Sequence, residues 1–494
     1  MTRSSIRLSR IACLAVVFLA ATTIAASAQT FTTLANLDGK NGQNPVNLVQ
    51  GLDGNFYGTS QAGGFFDKDR RVCRYHCGTI FKVTPSGEAT LLYSFCARQI
   101  CADGAIPTAA MVLASDGNFY GTTEYGGQYG QGTVFKFTPA GVLTTLYSFC
   151  AVPYICPDGG YPVGGMVQGL NGSLYGTTSG AARSGSAIFS ITPTGILTTL
   201  YSFCKIDCSA NTPQSTLVLG TDGNIYGVTS SFITCSDCGT AFEVTSAGQY
   251  STLYTFCDKQ GACPNGSVPG SLLQAANGNL YGTDAPLALG EMVFEMTTSG
   301  TMLNIYDVSD SSSDDYGSLL QATDGNLYGA DFGYLASYGA VFELTATGES
   351  STLHNFCSTL NNKRHCVDGY GPAGLIQATD GNFYGTTYYG GANSSCVDSP
   401  YYSGCGTIFR ISTGLQPFVT TVPVMGSTGT NVILLGHNFT GSTGVTFNGV
   451  AASFTVVSDT EITATVPAGA ATGVVEVNLA HSVLQSNKNF VVTQ

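Results

Sequence analysis

The sequence predicts an all-β chain: a seven-bladed β-propeller closed by its N-terminal strand, followed by an immunoglobulin-like β-sandwich. Three observations carry this. A phrase of the form DGNFYGTT recurs seven times, with its tyrosine at Tyr57, Tyr120, Tyr175, Tyr226, Tyr281, Tyr328 and Tyr384; the spacing of about 47 to 63 residues is that of propeller blades. Glycine fills 63 of 494 positions and charged residues only 10%, which suits short strands joined by tight turns. Past Pro417 the phrase stops, and alternating apolar residues with regular turn signals continue to the end, the pattern of a sandwich.

The first 28 residues read as a secretory leader. Arg3, Arg7 and Arg10 precede the apolar run IACLAVVFLA, and Ala26-Ser27-Ala28 offers a small-residue cleavage site. No long apolar stretch follows, so the mature chain is expected to be exported, without a transmembrane segment, and monomeric. The expected division is 1–28 leader, 29–413 propeller and 414–494 sandwich.

Each repeat supplies four strands. Strand A is of the GMVQGL type, strand B carries the phrase NFYGTT, strand C is of the GTIFKVT type and strand D of the TLYSF type. The Asp/Asn-Gly turn between A and B tolerates positive φ, as a two-residue hairpin requires. TPSG or TPTG between C and D places proline and glycine where a tight turn uses them. Strand C centres on Phe81, Phe135, Phe189, Phe242, Phe294, Phe342 and Phe409, and strand D ends at Phe95, Phe149, Phe203, Phe256, Tyr306 and Phe356. The recurring tyrosine and strand-C phenylalanine are read as wedges packed between blades. The last repeat stops after GCGTIFRIS without a strand D, while the mature chain begins with FTTLANL (Phe31–Leu37), a strand D without its blade. Pairing it with the strand of Phe409 would close the ring and remove the open edge.

In such a meander the A–B and C–D turns share one face, and the longer B–C and D–A connections share the other. Function is expected on the loop-bearing face. All sixteen cysteines past the leader fall in or beside those loops, two or none in each. The D–A loops hold Cys96/Cys101, Cys150/Cys156, Cys204/Cys208, Cys257/Cys263 and Cys357/Cys366; the B–C loops hold Cys73/Cys77, Cys235/Cys238 and Cys396/Cys405. In an oxidising compartment this parity reads as eight local disulfides. Cys235–Cys238 has the spacing of a redox pair, but no thioredoxin-like context surrounds it. With five histidines and no second CxxC, no metal site is expected.

The unit DGNFYGTT…GG…GTVFKFTPAG resembles the GloVer tandem repeat of exported bacterial proteins, over roughly Phe31–Ser412. The C-terminal segments GHNF (Gly436–Phe439), VTFNGVAA, SDTEITATVP and GVVEV resemble an IPT/TIG domain. That resemblance implies a spacer or interaction module of surface and secreted proteins.

Chemistry is sparse. The net charge of −13 opposes nucleic-acid binding, which needs cations for phosphate. The five histidines are scattered, and Asp103, Asp158 and Asp368 each precede glycine as turn residues. Strand B ends in Ser or Thr in most repeats but in Asp284 and Asp331 in the fifth and sixth. Together with Glu124 these are the candidate catalytic acids for a glycosidase-type pair. The stronger signal is aromatic: Tyr125, Tyr129, Tyr334, Tyr338, Tyr388, Tyr389, Tyr401 and Tyr402 stand in the loops outside the repeated positions, joined by Tyr154 and Tyr161. Tyrosine presents a flat apolar face with a polar tip, suited to stacking on sugars or peptides. The reading is a secreted or cell-surface binding protein for glycan or peptide, without cofactor. Its alternatives are an extracellular polysaccharide hydrolase or lyase, and a purely structural repeat protein.

Overall fold

The computed structural model describes residues 29–64, 77–152, 156–180, 185–203, 212–213, 216–230, 239–245, 247–257, 268–284, 292–308, 318–333, 338–358, 366–393, 395–399 and 402–493. The repeats form six four-stranded antiparallel sheets and one of five strands, each running A-B-C-D. The first sheet comprises Gln43–Gln50, Phe56–Ala62, Thr79–Val83 and Ala89–Ser94. The fourth gains its fifth strand from Thr212–Pro213, which pairs with the end of its strand B. In the seventh, the first three strands are Tyr370–Gln377, Phe383–Tyr389 and Thr407–Ser412, and the fourth is Thr30–Asn36 from the other end of the repeat region.

The repeated phrase is a compact set of bonds. In the A–B turn the aspartate Oδ1 accepts the backbone N–H two residues on, as Asp116 does from Asn118, and its Oδ2 accepts the tyrosine hydroxyl four residues on. The Tyr–Asp distances are 2.9 Å at Tyr57–Asp53, 2.7 Å at Tyr120–Asp116, 2.6 Å at Tyr226–Asp222 and 2.8 Å at both Tyr328–Asp324 and Tyr384–Asp380. Where asparagine replaces aspartate the direction reverses: Asn171 and Asn277 donate to the hydroxyls of Tyr175 and Tyr281. Tyr281 then finds its acceptor on strand C, in Glu295 at 2.6 Å. The second glycine of the phrase has a different cause. Gly58 lies opposite Phe81 and Gly121 opposite Phe135, and a Cβ at either would overlap the phenylalanine ring. A short sheet-facing residue is therefore obligatory wherever strand C carries its phenylalanine.

Two devices join neighbouring sheets. Aromatic rings of adjacent B strands pack together, Tyr57 on Phe119 at 4.4 Å and Tyr328 on Phe383 at 4.4 Å. The glutamine ending strand A accepts a backbone N–H from the preceding sheet's turn: Gln168 from Ser115, Gln274 from Thr221, Gln321 from Ala276 and Gln377 from Thr323. The contact between the seventh and first sheets uses both, with Phe56 on Tyr384 at 4.1 Å and Gln50 accepting from Thr379 at 3.0 Å. Further out, the last residue of each strand-D element packs on the next strand-C phenylalanine, as Phe95 on Phe135 and Phe356 on Phe409. In the fifth sheet that place belongs to Val308, buried with Phe342, and not to Tyr306. Tyr306 pairs with Val293 as Tyr93 pairs with Ile80, two residues before the packing position.

The C-terminal region is a sandwich. One sheet holds Thr420–Val422, Asn431–Leu435, Glu461–Thr465 and Phe454–Val456; the other holds Val450–Ala451, Gly444–Phe447, Val475–Asn478 and Val483–Gln485. Its core gathers Val432, Leu434, Phe439, Val445, Phe447, Ile462 and Val475. The GHNF segment has a packing reason: Phe439 folds back over Gly436, where a Cβ would strike the ring, and Asn438 takes the left-handed φ of 59° that the turn needs. This domain rests on the A–B turns. Phe418 N–H donates to Thr379 O at 3.0 Å, and Thr460 Oγ1 donates to Leu52 O at 2.5 Å. A cleft of about 410 Å³ remains between Thr323 and Asp324 on one side and Val483, Gln485, Ser486 and Asn487 on the other. The face expected to hold only tight turns is thus partly covered.

Candidate functional site

The opposite face carries the loops, clamped by disulfides Cys96–Cys101, Cys150–Cys156, Cys357–Cys366 and Cys396–Cys405. Cys77 and Cys257 are disulfide-bonded too; Cys73, Cys204, Cys208, Cys235, Cys238 and Cys263 lie outside the described residues. The aspartates beside these staples do more than turn the chain. Asp103 accepts the Tyr93 hydroxyl at 2.7 Å and the N–H groups of Ala97 and Arg98, and Asp158 accepts the Tyr147 hydroxyl and Cys150 N–H, both at 2.9 Å. Each binds its D strand to the stapled loop that follows. In the sixth sheet a histidine takes the tyrosine's place, with His354 Nε2 3.2 Å from Asp368 Oδ2 and its ring stacked on Phe31 of the N-terminal strand at 3.7 Å.

The candidate acids are held by backbone. In the first, second, fourth and seventh sheets the hydroxyl ending strand B meets a strand-C threonine hydroxyl, as Ser60 meets Thr79 at 2.7 Å and Thr123 meets Thr133 at 2.8 Å. Asp284 and Asp331 face Met292 and Ala340 instead. Both carboxylates are buried and turn to main-chain donors, Asp284 to Val268 N–H at 3.2 Å and Asp331 to Gly333 N–H at 3.0 Å. Glu124 differs. Burial pushes its carboxyl above the ordinary range, opposed by a hydrogen bond from Tyr125. The Tyr125 hydroxyl is pushed up to about 12 by burial and by the Glu124 charge, and its ring packs edge-on against Tyr161 at 5.4 Å.

A second aromatic group spans the sixth and seventh sheets and reaches the first. Tyr389 stacks on Tyr370 at 5.2 Å and meets Tyr388 edge-on at 4.7 Å. Phe332 packs against Tyr388 at 5.9 Å, and Tyr338 against Tyr370 at 5.8 Å. The Tyr388 hydroxyl donates to Gln61 Oε1 of the first sheet at 2.5 Å, and Asn44 Nδ2 donates to Tyr388 O at 3.2 Å. Tyr338 is 51% exposed, so the group opens to solvent on one side. Tyr129, 41% exposed, stands apart on the second sheet's loop. Tyr154, Tyr334 and Tyr401 lie outside the described residues, as does the side chain of Tyr402. Sequence reasoning missed Phe332, Tyr370 and Gln61; the aromatic that directly follows Asp331 was the available signal for the first. Among the described residues, one group places three potential metal ligands within 4.8 Å of one another, Cys77, Cys96 and Cys101, and all three are disulfide-bonded. Sulfur already in a disulfide is not the thiolate a metal takes.

Two family models match the chain. A Gloeobacter/Verrucomicrobia repeat model matches residues 20–234 and 209–397, and an IPT/TIG domain model matches residues 417–492. The chain belongs to the Gloeobacter/Verrucomicrobia repeat family. Among solved structures, a streptogramin B lyase is 14% identical with a TM-score of 0.50, spanning 78% of this chain and 97% of that one. A hydrazine synthase of Kuenenia stuttgartiensis is 14% identical with a TM-score of 0.44, spanning 70% and 93%. No curated protein matches the sequence. At such identities the likeness concerns fold, and it makes this Gloeobacter/Verrucomicrobia repeat protein a propeller-like molecule with an appended IPT/TIG domain. No helix among its described residues is long and apolar enough to cross a membrane.

Proposed function

We propose that this repeat protein is a secreted or cell-surface binding module: a ring of seven blades locked by Thr30–Asn36, which recognises glycan or peptide through the loop-bearing face. Residues 1–28 are its export leader, 29–413 the ring and 414–494 the interaction domain. The observation that carries the reading is the group Phe332, Tyr338, Tyr370, Tyr388 and Tyr389, open on one side and held from behind by Gln61 and Asn44. Rings already fixed against one another lose little rotational freedom when a ligand stacks on them, so more of the contact energy goes into binding. The neighbouring loops are held by staples and by carboxylate–backbone bonds for the same benefit. The other face is occupied in part by the protein's own C-terminal domain. A glycan and peptide array probed with the mature protein tests the reading; hits that Tyr389→Ala and Tyr338→Ala both abolish support it, and hits unaffected by either count against it.

A second reading, a polysaccharide hydrolase or lyase, is favoured by Glu124 alone, because a carboxyl raised by burial can act as a general acid. Product release from the array's glycan hits, lost in Glu124→Gln, would distinguish it from binding.

A further inference from the structure

The first sheet brings the ends of two stapled loops together. Thr79, opening strand C, pairs with Ser94, closing strand D; Cys77 lies two residues before the one and Cys96 two residues after the other. Phe95 N–H donates to Gly78 O at 3.0 Å and keeps the two segments side by side beyond the strands. The sulfurs of Cys77, Cys96 and Cys101 consequently all lie within 4.8 Å of one another. Cys96 is bonded to Cys101, and Cys77 belongs to a separate disulfide. Cys77 and Cys101 are buried, whereas Cys96 is half-buried and the least enclosed residue of the three.

We propose that these sulfurs form a thiol–disulfide exchange site for a low-molecular-weight thiol, at which the two staples of the first sheet trade partners. The solvent thiolate attacks Cys96 Sγ; a mixed disulfide forms, the Cys96–Cys101 bond breaks, and the electron pair leaves on Cys101 as thiolate. Cys101 then attacks Cys77 Sγ, forming Cys77–Cys101 and expelling the thiolate of the former partner of Cys77. Two disulfides and one small thiol enter; Cys77–Cys101, the mixed disulfide on Cys96 and one protein thiol leave, so no external oxidant or further reductant is consumed. The product joins the B–C loop, through Cys77, to the D–A loop, through Cys101. Burial of Cys77 and Cys101 confines the sequence to entry at Cys96.

The second sheet provides an internal control. Its register is the same, Thr133 pairing with Ser148, but Gln131 stands where the first sheet has Cys77, so Cys150–Cys156 has no third sulfur beside it from strand C. The test treats the folded full-length protein with reduced glutathione, raised until Cys150–Cys156 forms mixed disulfides, followed by acid quench, alkylation and peptide mapping. The expected result is loss of the Cys96–Cys101 peptide with a matching gain of a peptide joining Cys77 to Cys101 and of glutathione on Cys96. The double variant Cys73→Ser, Cys77→Ser removes the expected staple whole and should lose the cross-linked peptides, leaving Cys96–Cys101 to behave like Cys150–Cys156. The proposal is overturned if Cys77 keeps its original partner while Cys150–Cys156 exchanges, whether Cys96–Cys101 reacts with glutathione or stays intact.

Discussion

The Asp–Tyr bond of the A–B turn is the smallest unit that explains why the phrase is repeated. Each hydroxyl is removed from bulk water by the ring that carries it, so its acceptor must be supplied by the protein. Tyr120→Phe leaves Asp116 without that donor and should cost about 1–2 kcal/mol in denaturant unfolding, whereas Tyr175→Phe, whose partner is the neutral Asn171, should cost less. Burial alone would raise the Asp116 carboxyl, but Lys136 at 2.9 Å, Tyr120 and Asn118 outweigh it and hold it below the usual carboxylate range. A carboxyl held low in the folded state contributes stability above its unfolded range near pH 4, and that stability is lost as pH falls through the lower folded value. Lys136→Met should therefore flatten the acid limb of the stability profile, read as unfolding midpoint against pH. The chain offers a second substitution at the same place. Where the first and second sheets have Lys82 and Lys136, the fourth has Glu243, which shares the Tyr226 and Asn224 donors with Asp222. Glu243→Lys should stabilise by a few tenths of a kcal/mol, the usual worth of a part-exposed pair.

At the scale of strands and loops, the hairpins were legible because their cause is local: a left-handed glycine after Asp or Asn needs no knowledge of the rest of the chain. The N-terminal strand was legible because counting strands in repeats exposes a surplus at one end and a deficit at the other. Gly58 and its counterparts were not explained from sequence, since their reason is the ring of Phe81 across a register that only pairing fixes. The setting of Asp284 and Asp331 was not legible for a related cause. The loss of a hydroxyl partner at Met292 and Ala340, on the neighbouring strand, sends each carboxylate to the backbone. Tyr306 was placed two residues off because a valine holds the position that phenylalanine marks elsewhere. The pairing of Thr30–Asn36 with Thr407–Ser412 allows a direct prediction. Deleting residues 30–36 should lower the thermal midpoint and speed hydrogen exchange at 407–412, whose outer edge would be left open. Gln50→Leu, the residue type that Leu113 and Leu219 already supply at the equivalent place, should lower the midpoint far less.

For the whole molecule, the C-terminal domain is a second layer laid on the turn face, and no periodicity in the sequence pointed to that placement. Its seat includes His437, half-buried overall, with Nε2 fully enclosed and unpartnered among the described residues. Burial pushes this imidazole below its ordinary value, against the opposite pull of Asp380 and Asp459. The released domain therefore binds the proton more tightly than the seated one. Seating is at full strength above the free histidine range near pH 6.5 and weakens as pH falls through it. Proteolysis in the linker at 413–418 should accelerate between about pH 7 and pH 5, and His437→Leu should remove that dependence.

With one face seated against its own domain, the proposed recognition surface is the face of stapled loops and clustered rings, and this is the claim on which the functional account rests. Hydrogen exchange of the protein with and without a ligand identified on the array addresses it most directly. The account predicts slowed exchange at 332–333, 338–339 and 388–391 and around Gln61, with the A–B turns at Asp53, Asp116 and Asp222 unchanged. Protection confined to those turns or to the C-terminal domain would contradict it.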